Sequence, residues 1–198
     1  MSSAEELPDR MAIRELIENW LMWSDTGDWD RFATVWHEGG HIQTSWFNGT
    51  GLDFMEGRRK AWDSGLSISH TIGSTTIELR GNRALCQTKV EISLRGMVHD
   101  VECDITGRSY WYDFTDKRDG HWGIIRRQPI FEKDRLDPVD PAAQLSLDQD
   151  RLNRFPSGYC HIAYFQTALG YEVCDDLPCL MEPKSPGHIR PRAALACR

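Results

Sequence analysis

Four alternating stretches decide the fold of this 198-residue chain: TIGSTTIEL (71–79), RALCQTKVEISLR (83–95), MVHDVECDITGRSYWYDF (97–114) and HWGIIRRQPIFE (121–132). Apolar and polar residues alternate along each stretch, which is typical of β-strands that bury one face. The separators are Arg80-Gly81-Asn82, Arg95-Gly96 and residues 116–120. The last two lie between long alternating runs and predict hairpin turns. The sequence therefore predicts a four-stranded antiparallel meander.

Helical patterns precede these strands. Residues 9–23 place five apolar side chains on one face at helical spacing, namely Ile13, Leu16, Ile17, Trp20 and Leu21. A second, short helix is predicted to carry Trp29, Phe32, Val35 and Trp36 and to stop at Gly39-Gly40. Residues 41–46 predict a short strand, and residues 52–64 predict a third helix. Helices followed by a meander predict an α+β fold in which helices cover one face of a curved sheet.

The composition changes after Arg135, so we divide the chain into a domain at 8–135 and a C-terminal extension at 136–198. Residues 136–180 contain two Arg against seven Asp and Glu, a charge of −5, with a marginal helix near 147–154 and an aromatic patch at 155–165. The last eighteen residues carry a charge of +3 and three prolines, which predicts poor order. The extension is expected to form a lid, to swap between subunits or to be partly disordered.

The composition excludes several functional classes. The net charge of −7, without a basic stripe, argues against nucleic acid as a partner. The first ten residues contain no apolar leader and no stretch approaches 18 apolar residues, so we expect a cytoplasmic protein without a membrane segment. Six cysteines without zinc-type spacing predict reduced thiols. Phosphate loops, GxSxG elbows and metal-spaced carboxylates are absent, so we expect no metal and no cofactor.

Several motifs in order resemble a known family. They are AIREL (12–16) in a helix that ends at Asp25, GDWD (27–30), FATVW (32–36), HTIGSTTIEL (70–79) and DGHWGI (119–124). This order resembles the SnoaL-like branch of the nuclear transport factor 2-like superfamily, nearest to its dehydrochlorinase and scytalone dehydratase-type lyases. The resemblance covers about residues 8–133. It implies a cone-shaped fold, with helices packed on a strongly curved antiparallel sheet around an apolar cavity, and it implies a homodimer or homotrimer.

The resemblance also implies the catalytic residues. A helix-end Asp and a pre-strand His form a dyad in the dehydrochlorinase-like members, and Asp25 and His70 occupy the matching positions. A basic residue of the last strand faces the cavity in those relatives. By alternation Arg126 shares a face with Trp122 and Ile124, so Arg126 is predicted to face inward, and its neighbour at 127 outward. The alternative interpretation is structural, with Asp25 as a helix cap and His70 bonded to backbone.

Substrate contacts are predicted for five residues of the inner surface: Trp20, Trp46, His99, Tyr110 and Tyr112. The aromatic content favours a flat, apolar, aromatic or polycyclic ligand. A carboxylate that orients an imidazole stabilises the imidazolium formed when the ring removes a proton. We therefore predict a cofactor-independent lyase that removes a C–H proton from a small hydrophobic compound and expels water, halide or formaldehyde. The alternatives are an isomerase of the ketosteroid isomerase or polyketide cyclase type and a non-catalytic ligand-binding or assembly module.

Overall fold

A computed structural model describes residues 4–180 of the chain. After a 3₁₀ turn at Ala4–Glu6, this part contains the helices α1 (Leu7–Thr26), α2 (Trp29–Ala33), α3 (Gly51–Asp63), α4 (Gln149–Leu152) and α5 (Cys160–Ala168). Its strands are β1 (Trp36–Gln43), β2 (Asn48–Thr50), β3 (Ser67–Arg80), β4 (Arg83–Val98), β5 (Val101–Arg118) and β6 (His121–Pro138). The predicted poor order concerns residues 181–198, which lie outside the described residues. No described helix is long and apolar enough to cross a bilayer.

The six strands form one sheet in the order β2-β1-β6-β5-β4-β3. The strands from β3 to β6 pair antiparallel in chain order, as the alternating pattern predicts. The strand β1 pairs parallel with β6, so the sheet is mixed and not wholly antiparallel. Helix α1 contacts β3 and β6, and α3 contacts β1 and β2. The predicted α+β fold, with helices packed on a curved sheet, is confirmed.

The predicted turn at Arg95-Gly96 is wrong, because β4 continues through both residues to Val98. The hairpin turn lies at His99-Asp100, and both residues have positive φ, 48° and 64°. Positive φ at both central positions is the two-residue geometry that matches the twist of paired strands.

Close packing explains the glycine that suggested the turn. A Cβ at Gly96 would lie 2.6 Å from the ring of Phe165, and a Cβ at Gly107 would lie 2.2 Å from Ile162 Cδ1. Both partners belong to α5, in the C-terminal extension. These two glycines therefore let a helix approach the sheet at a distance that any side chain would prevent.

The second helix is shorter than predicted. Helix α2 ends at Ala33, and Trp36 begins β1 instead of continuing a helix to Gly39-Gly40. The chain is extended here because it joins the sheet edge. Trp36 pairs with Ile124 of β6, whose backbone N–H donates to the carbonyl of Val35 over 2.9 Å. Tertiary strand pairing overrides the local helical spacing.

The start and end of α1 follow from local chemistry. Pro8 stands in the first turn, where its missing N–H costs no hydrogen bond. Gly27 ends the helix in the left-handed region with φ 72°, and its N–H donates to the carbonyl of Trp23. The buried stripe of α1 ends at Ser24. This termination places Asp25 in the last turn of the helix, beside the sheet.

Residues 139–180 pack on the sheet through α5. The side chain of Asp134 on β6 is 0% exposed and accepts the Ile162 N–H over 2.7 Å, which caps the start of α5 from outside the helix. Its other oxygen lies 2.9 Å from Nδ1 of His161, and the Cys160 thiol lies 3.8 Å from that oxygen. Bonds to Asp134 and Cys160 raise the pKa of His161 from 6.5 to about 10. An imidazolium–carboxylate pair therefore holds α5 against β6 at neutral pH.

The variant His161→Gln is expected to lower the free energy of unfolding by about 1–2 kcal/mol at neutral pH, because it removes a charge-assisted hydrogen bond. The folded-state pKa lies above the unfolded value of 6.5. The contribution is therefore fully present below pH 6.5 and is lost as pH rises through about 10. Urea unfolding of both proteins across this range measures the difference, with the exposed His121→Gln as a control. A difference that does not shrink at alkaline pH would contradict the ion pair.

Candidate active site

A cavity of about 100 Å³ lies between the helices and the concave face of the sheet. Its walls come from α1, α3, the inner faces of β3 to β6 and α5. Most of the lining is aliphatic or aromatic, including Val90, Trp111 and Phe165. The polar lining includes His70, Arg58 and Arg127. The cavity is thus an apolar chamber with a few ionisable groups, the usual composition of a small-molecule site.

The structure brings Asp25 and His70 together. Oδ1 of Asp25 lies 2.7 Å from Nδ1 of His70, and Oδ2 accepts the backbone N–H of His70 over 2.5 Å. The two side chains are 14% and 7% exposed. The carboxylate therefore fixes both the backbone and the ring of His70, and it leaves Nε2 as the ring nitrogen available for a ligand.

Burial governs the protonation of His70. It lowers the pKa of the imidazole, because a buried charge loses its hydration. The bond to Asp25 opposes this shift, while the positive charges of Arg58 and Arg127 add to it. The net effect is a pKa below 6.5. The ring is therefore neutral at neutral pH, which is the form that can accept a proton.

Arg58 on α3 is a site residue that the sequence reasoning missed. Its side chain is 4% exposed, and its Nη2 lies 3.7 Å from Oδ1 of Asp25. Its Nε donates to Ser24 Oγ over 3.3 Å, which ties α3 to the end of α1. The signal was present in the sequence, because Phe54, Arg58 and Ala61 have helical spacing on one face of α3. An arginine inside an apolar stripe indicates a buried cation.

The predicted orientation of Arg126 is wrong. Arg126 is exposed and donates to Gln128, whereas Arg127 is 1% exposed and lines the cavity. The cause is a β-bulge, because Ile124 pairs with Thr115 while Arg126 pairs with the preceding residue, Phe114. The extra residue reverses the alternation beyond this point. The inward basic residue of the last strand is therefore Arg127.

Arg127 is held between two indole rings. Its guanidinium carbon lies 3.8 Å from the ring centre of Trp111 and 4.3 Å from that of Trp20. Nε and Nη2 donate to the two oxygens of Asp113 over 2.6 and 2.8 Å. Both partners are buried, at 1% and 0% exposure. The geometry fixes a cation at the cavity wall by a bidentate ion pair and two cation–π contacts.

The predicted substrate-binding residues divide into two groups. Trp20 and Trp46 line the cavity, and the Trp20 ring lies 5.7 Å from that of His70. Tyr110 and Tyr112 do not line it, because the alternate residues of β5 face inward. His99 also lies outside, in the β4–β5 turn, where its Nε2 is 2.8 Å from the hydroxyl of a tyrosine on α5. The prediction of an inward orientation is wrong for these three residues.

The C-terminal extension forms part of the cavity wall, and the sequence did not predict which of its residues do so. Gln166 of α5 is 5% exposed, and its Oε1 accepts the Ser45 hydroxyl over 2.7 Å. The backbone of Ser45 in turn accepts the Cys174 N–H over 2.9 Å. The Tyr171 ring packs on Trp46 at 5.1 Å. These contacts close the chamber at the loop between β1 and β2.

One group among the described residues has ligand atoms close enough to hold a metal ion, namely Asp134, Cys160 and His161. It lies at the start of α5, and none of the three lines the chamber. Its hydrogen bonds to one another and to the helix N-terminus already account for the arrangement.

Comparisons with known proteins agree with this fold. The model of a family described as SnoaL-like domain matches residues 5–128. The chain is 33% identical over 174 residues to pea pathogenicity protein 2 of Fusarium vanettenii, covering 86% of this chain and 75% of the relative. A putative scytalone dehydratase from Novosphingobium aromaticivorans has a similar fold, with TM-score 0.55, 17% identity and coverage of 71% and 97%. The LinA-type3 hexachlorocyclohexane dehydrochlorinase of Novosphingobium barchaimii gives TM-score 0.55 and 15% identity, with coverage of 74% and 100%.

Proposed function

The chain belongs to the SnoaL-like domain family, and on that premise we propose that it is a cofactor-independent lyase acting on a small hydrophobic compound. The observation that carries the proposal is the Asp25–His70 pair at 2.7 Å, whose imidazole lies in the wall of an apolar chamber. A cone-shaped fold whose interior is filled by side chains, or a sheet with an exposed apolar face, would instead favour a non-catalytic binding or assembly module. The solved dehydratase and dehydrochlorinase structures of this fold also support the proposal.

In the proposed reaction Nε2 of His70 removes a C–H proton from the ligand. The C–H electron pair forms a double bond while the leaving group departs with its own bonding pair, either as halide or as hydroxide that takes the proton back from the His70 imidazolium and leaves as water. Asp25 keeps the ring in the tautomer that accepts the proton at Nε2, and it stabilises the imidazolium that results. Arg127 takes the role predicted for Arg126, because its buried positive charge stabilises negative charge on the departing group or an enolising oxygen.

Two one-ring probes test the proposal. The first is 3-hydroxycyclohexanone, whose dehydration gives a conjugated enone that is followed by ultraviolet absorbance. The second is hexachlorocyclohexane, the compound in the name of the dehydrochlorinase relatives, with chloride release as the signal. We expect turnover of at least one probe by the native protein and none by His70→Ala. Binding of both probes without turnover, and without exchange of ligand C–H protons in D₂O, would favour the ligand-binding module.

The rate is expected to fall on the acid side with a midpoint below pH 6.5, because the pKa of His70 is lowered and only the neutral ring accepts a proton. The positive charge of Arg58 contributes to that lowering. The variant Arg58→Met should therefore move the acid limb to higher pH, and Arg58→Lys, which keeps the charge, should leave it in place. Profiles of kcat/KM against pH measure the limb. An acid limb centred above pH 6.5, or a limb that Arg58→Met does not move, would contradict this account.

We also propose that the protein acts in the cytoplasm as a homodimer or homotrimer. The thiols of Cys86, Cys103, Cys160 and Cys174 are free, which supports a reducing compartment. Size-exclusion chromatography with light scattering measures the number of subunits.

A further inference from the structure

Three buried polar groups in the chamber wall have no partner among the described residues, namely Nε1 of Trp20, Nη1 of Arg127 and the hydroxyl of Thr44. The groups of Trp20 and Arg127 are N–H donors. Both residues line the cavity and are at most 2% exposed. A buried donor without a partner loses its hydration and gains no bond in return, and the loss is larger for a charged group, so such groups are rare in native proteins. Since Trp20 stacks on the Arg127 guanidinium, the two donors belong to one corner of the chamber.

The charged residues of the chamber wall have one sign. Arg58 and Arg127 line the cavity, whereas their partners Asp25 and Asp113 do not. No Asp or Glu within residues 4–180 is part of the lining. Gln166 adds a further donor, because its Oε1 is already used by Ser45 and its amide nitrogen is left for a ligand. The chamber therefore offers N–H groups and positive charge to a ligand that accepts hydrogen bonds.

The size of the chamber limits the rest of the ligand. A volume of about 100 Å³ is of the same order as the roughly 150 Å³ apolar cavity that holds benzene in another protein. The aliphatic and aromatic walls suit a ring, and the volume is comparable to that of a cavity known to hold one ring. This narrows the sequence-based expectation of an aromatic or polycyclic ligand to one ring.

We propose that the chamber binds a compound with a single six-membered ring and an anionic oxygen, a carboxylate or phenolate, placed on Arg127 Nη1 and Trp20 Nε1. The oxygen satisfies the two unpaired donors, and the ring contacts the apolar wall. As a substrate class this rests on the proposed lyase function, but the binding itself does not.

Isothermal titration calorimetry with four probes tests the ligand class at neutral pH. The probes are benzoate, toluene, benzylamine and 2-naphthoate, which vary charge and size around one ring. We expect benzoate to bind at least about tenfold more tightly than each of the others, because it alone combines one ring with an anionic oxygen that accepts charge-assisted hydrogen bonds. If toluene or benzylamine binds as tightly as benzoate, the proposal that the ligand carries an anionic oxygen is wrong. If 2-naphthoate binds more tightly than benzoate, the restriction to a single ring is wrong.

The variant Trp20→Phe removes one donor and keeps an aromatic ring in the wall. It should weaken benzoate binding about tenfold and leave toluene binding within twofold. Trp62→Phe is the matched control, because Trp62 is 42% exposed and lies outside the chamber. Equal weakening of both probes by Trp20→Phe would mean a packing defect and would overturn the assignment of Nε1 as a ligand donor.

The two proposals fail in different ways. If benzoate binds selectively but no probe is turned over, the proposed anion site stands and the proposed lyase function is wrong. If turnover depends on His70 but benzoate is not preferred, the lyase function stands and the anion site is wrong.

Discussion

The variant His70→Ala is expected to lower kcat/KM by about 10³–10⁴-fold, the upper part of the range for loss of a general base. Asp25→Asn should lower it by about 10²–10⁴-fold, because an amide can donate to Nδ1 and so favours the wrong tautomer. The His70 side chain lines the chamber, and its 2.7 Å contact with Asp25 makes the two residues one functional unit. The double variant should therefore be little worse than His70→Ala alone.

Kinetics of the two probe reactions measure this effect. His121→Ala is the control, because this histidine is exposed and outside the chamber. Circular dichroism and thermal unfolding of each variant separate loss of chemistry from loss of fold, since Asp25 also accepts a backbone N–H. Additive losses in the double variant would indicate that the two residues act separately. Turnover by His70→Ala at the native rate would end the lyase proposal.

The variant Arg127→Met is expected to cost about 3–5 kcal/mol of stability, because it leaves the carboxylate of Asp113 buried without its partner. The pair is 1% and 0% exposed, and its bonds are 2.6 and 2.8 Å long. Replacing both partners, as in Arg127→Met with Asp113→Leu, should recover most of that stability, since an apolar pair avoids the cost of burying charge. The double variant should still lack turnover, because the cavity cation is gone.

Urea unfolding and kcat/KM, measured on the same preparations, separate these contributions. Arg126→Met is the matched control one residue away. Its side chain is exposed, so the expected change in stability is within about 0.5 kcal/mol. Equal effects of the two arginine variants, or recovered turnover in the double variant, would show that Arg127 does not act as the cavity cation.

Some features of the site were predictable because they follow from local chemistry and from the resemblance to the family. The helical stripe and Gly27 end α1 just after Asp25, and the alternation at 71–79 located β3, which begins earlier, at Ser67, and includes His70. These elements are long, and their patterns are unambiguous. The predicted pairing of a helix end with a strand start, forty-five residues apart in sequence, is present at hydrogen-bond distance.

Other features depend on register between distant segments. The bulge at Ile125 puts Arg127 inside and Arg126 outside, and it is set by how β6 pairs with β5. Alternation along a strand predicts which side chains face inward only as far as the first β-bulge. Beyond the inserted residue, every side chain lies on the opposite face from the one predicted. The sequence of β6 alone therefore does not predict the bulge.

The amino-acid sequence by itself determined the α+β fold class and the antiparallel meander, and the resemblance to the family pointed to Asp25 and His70, which lie at hydrogen-bond distance. Only the tertiary structure decided which arginine enters the chamber, that Arg58 accompanies Asp25, and that α5 closes the wall with Gln166. The physical reason is that helix and strand periodicity is a property of neighbouring residues. A cavity is made by side chains from segments far apart in the chain, and their meeting depends on packing and register.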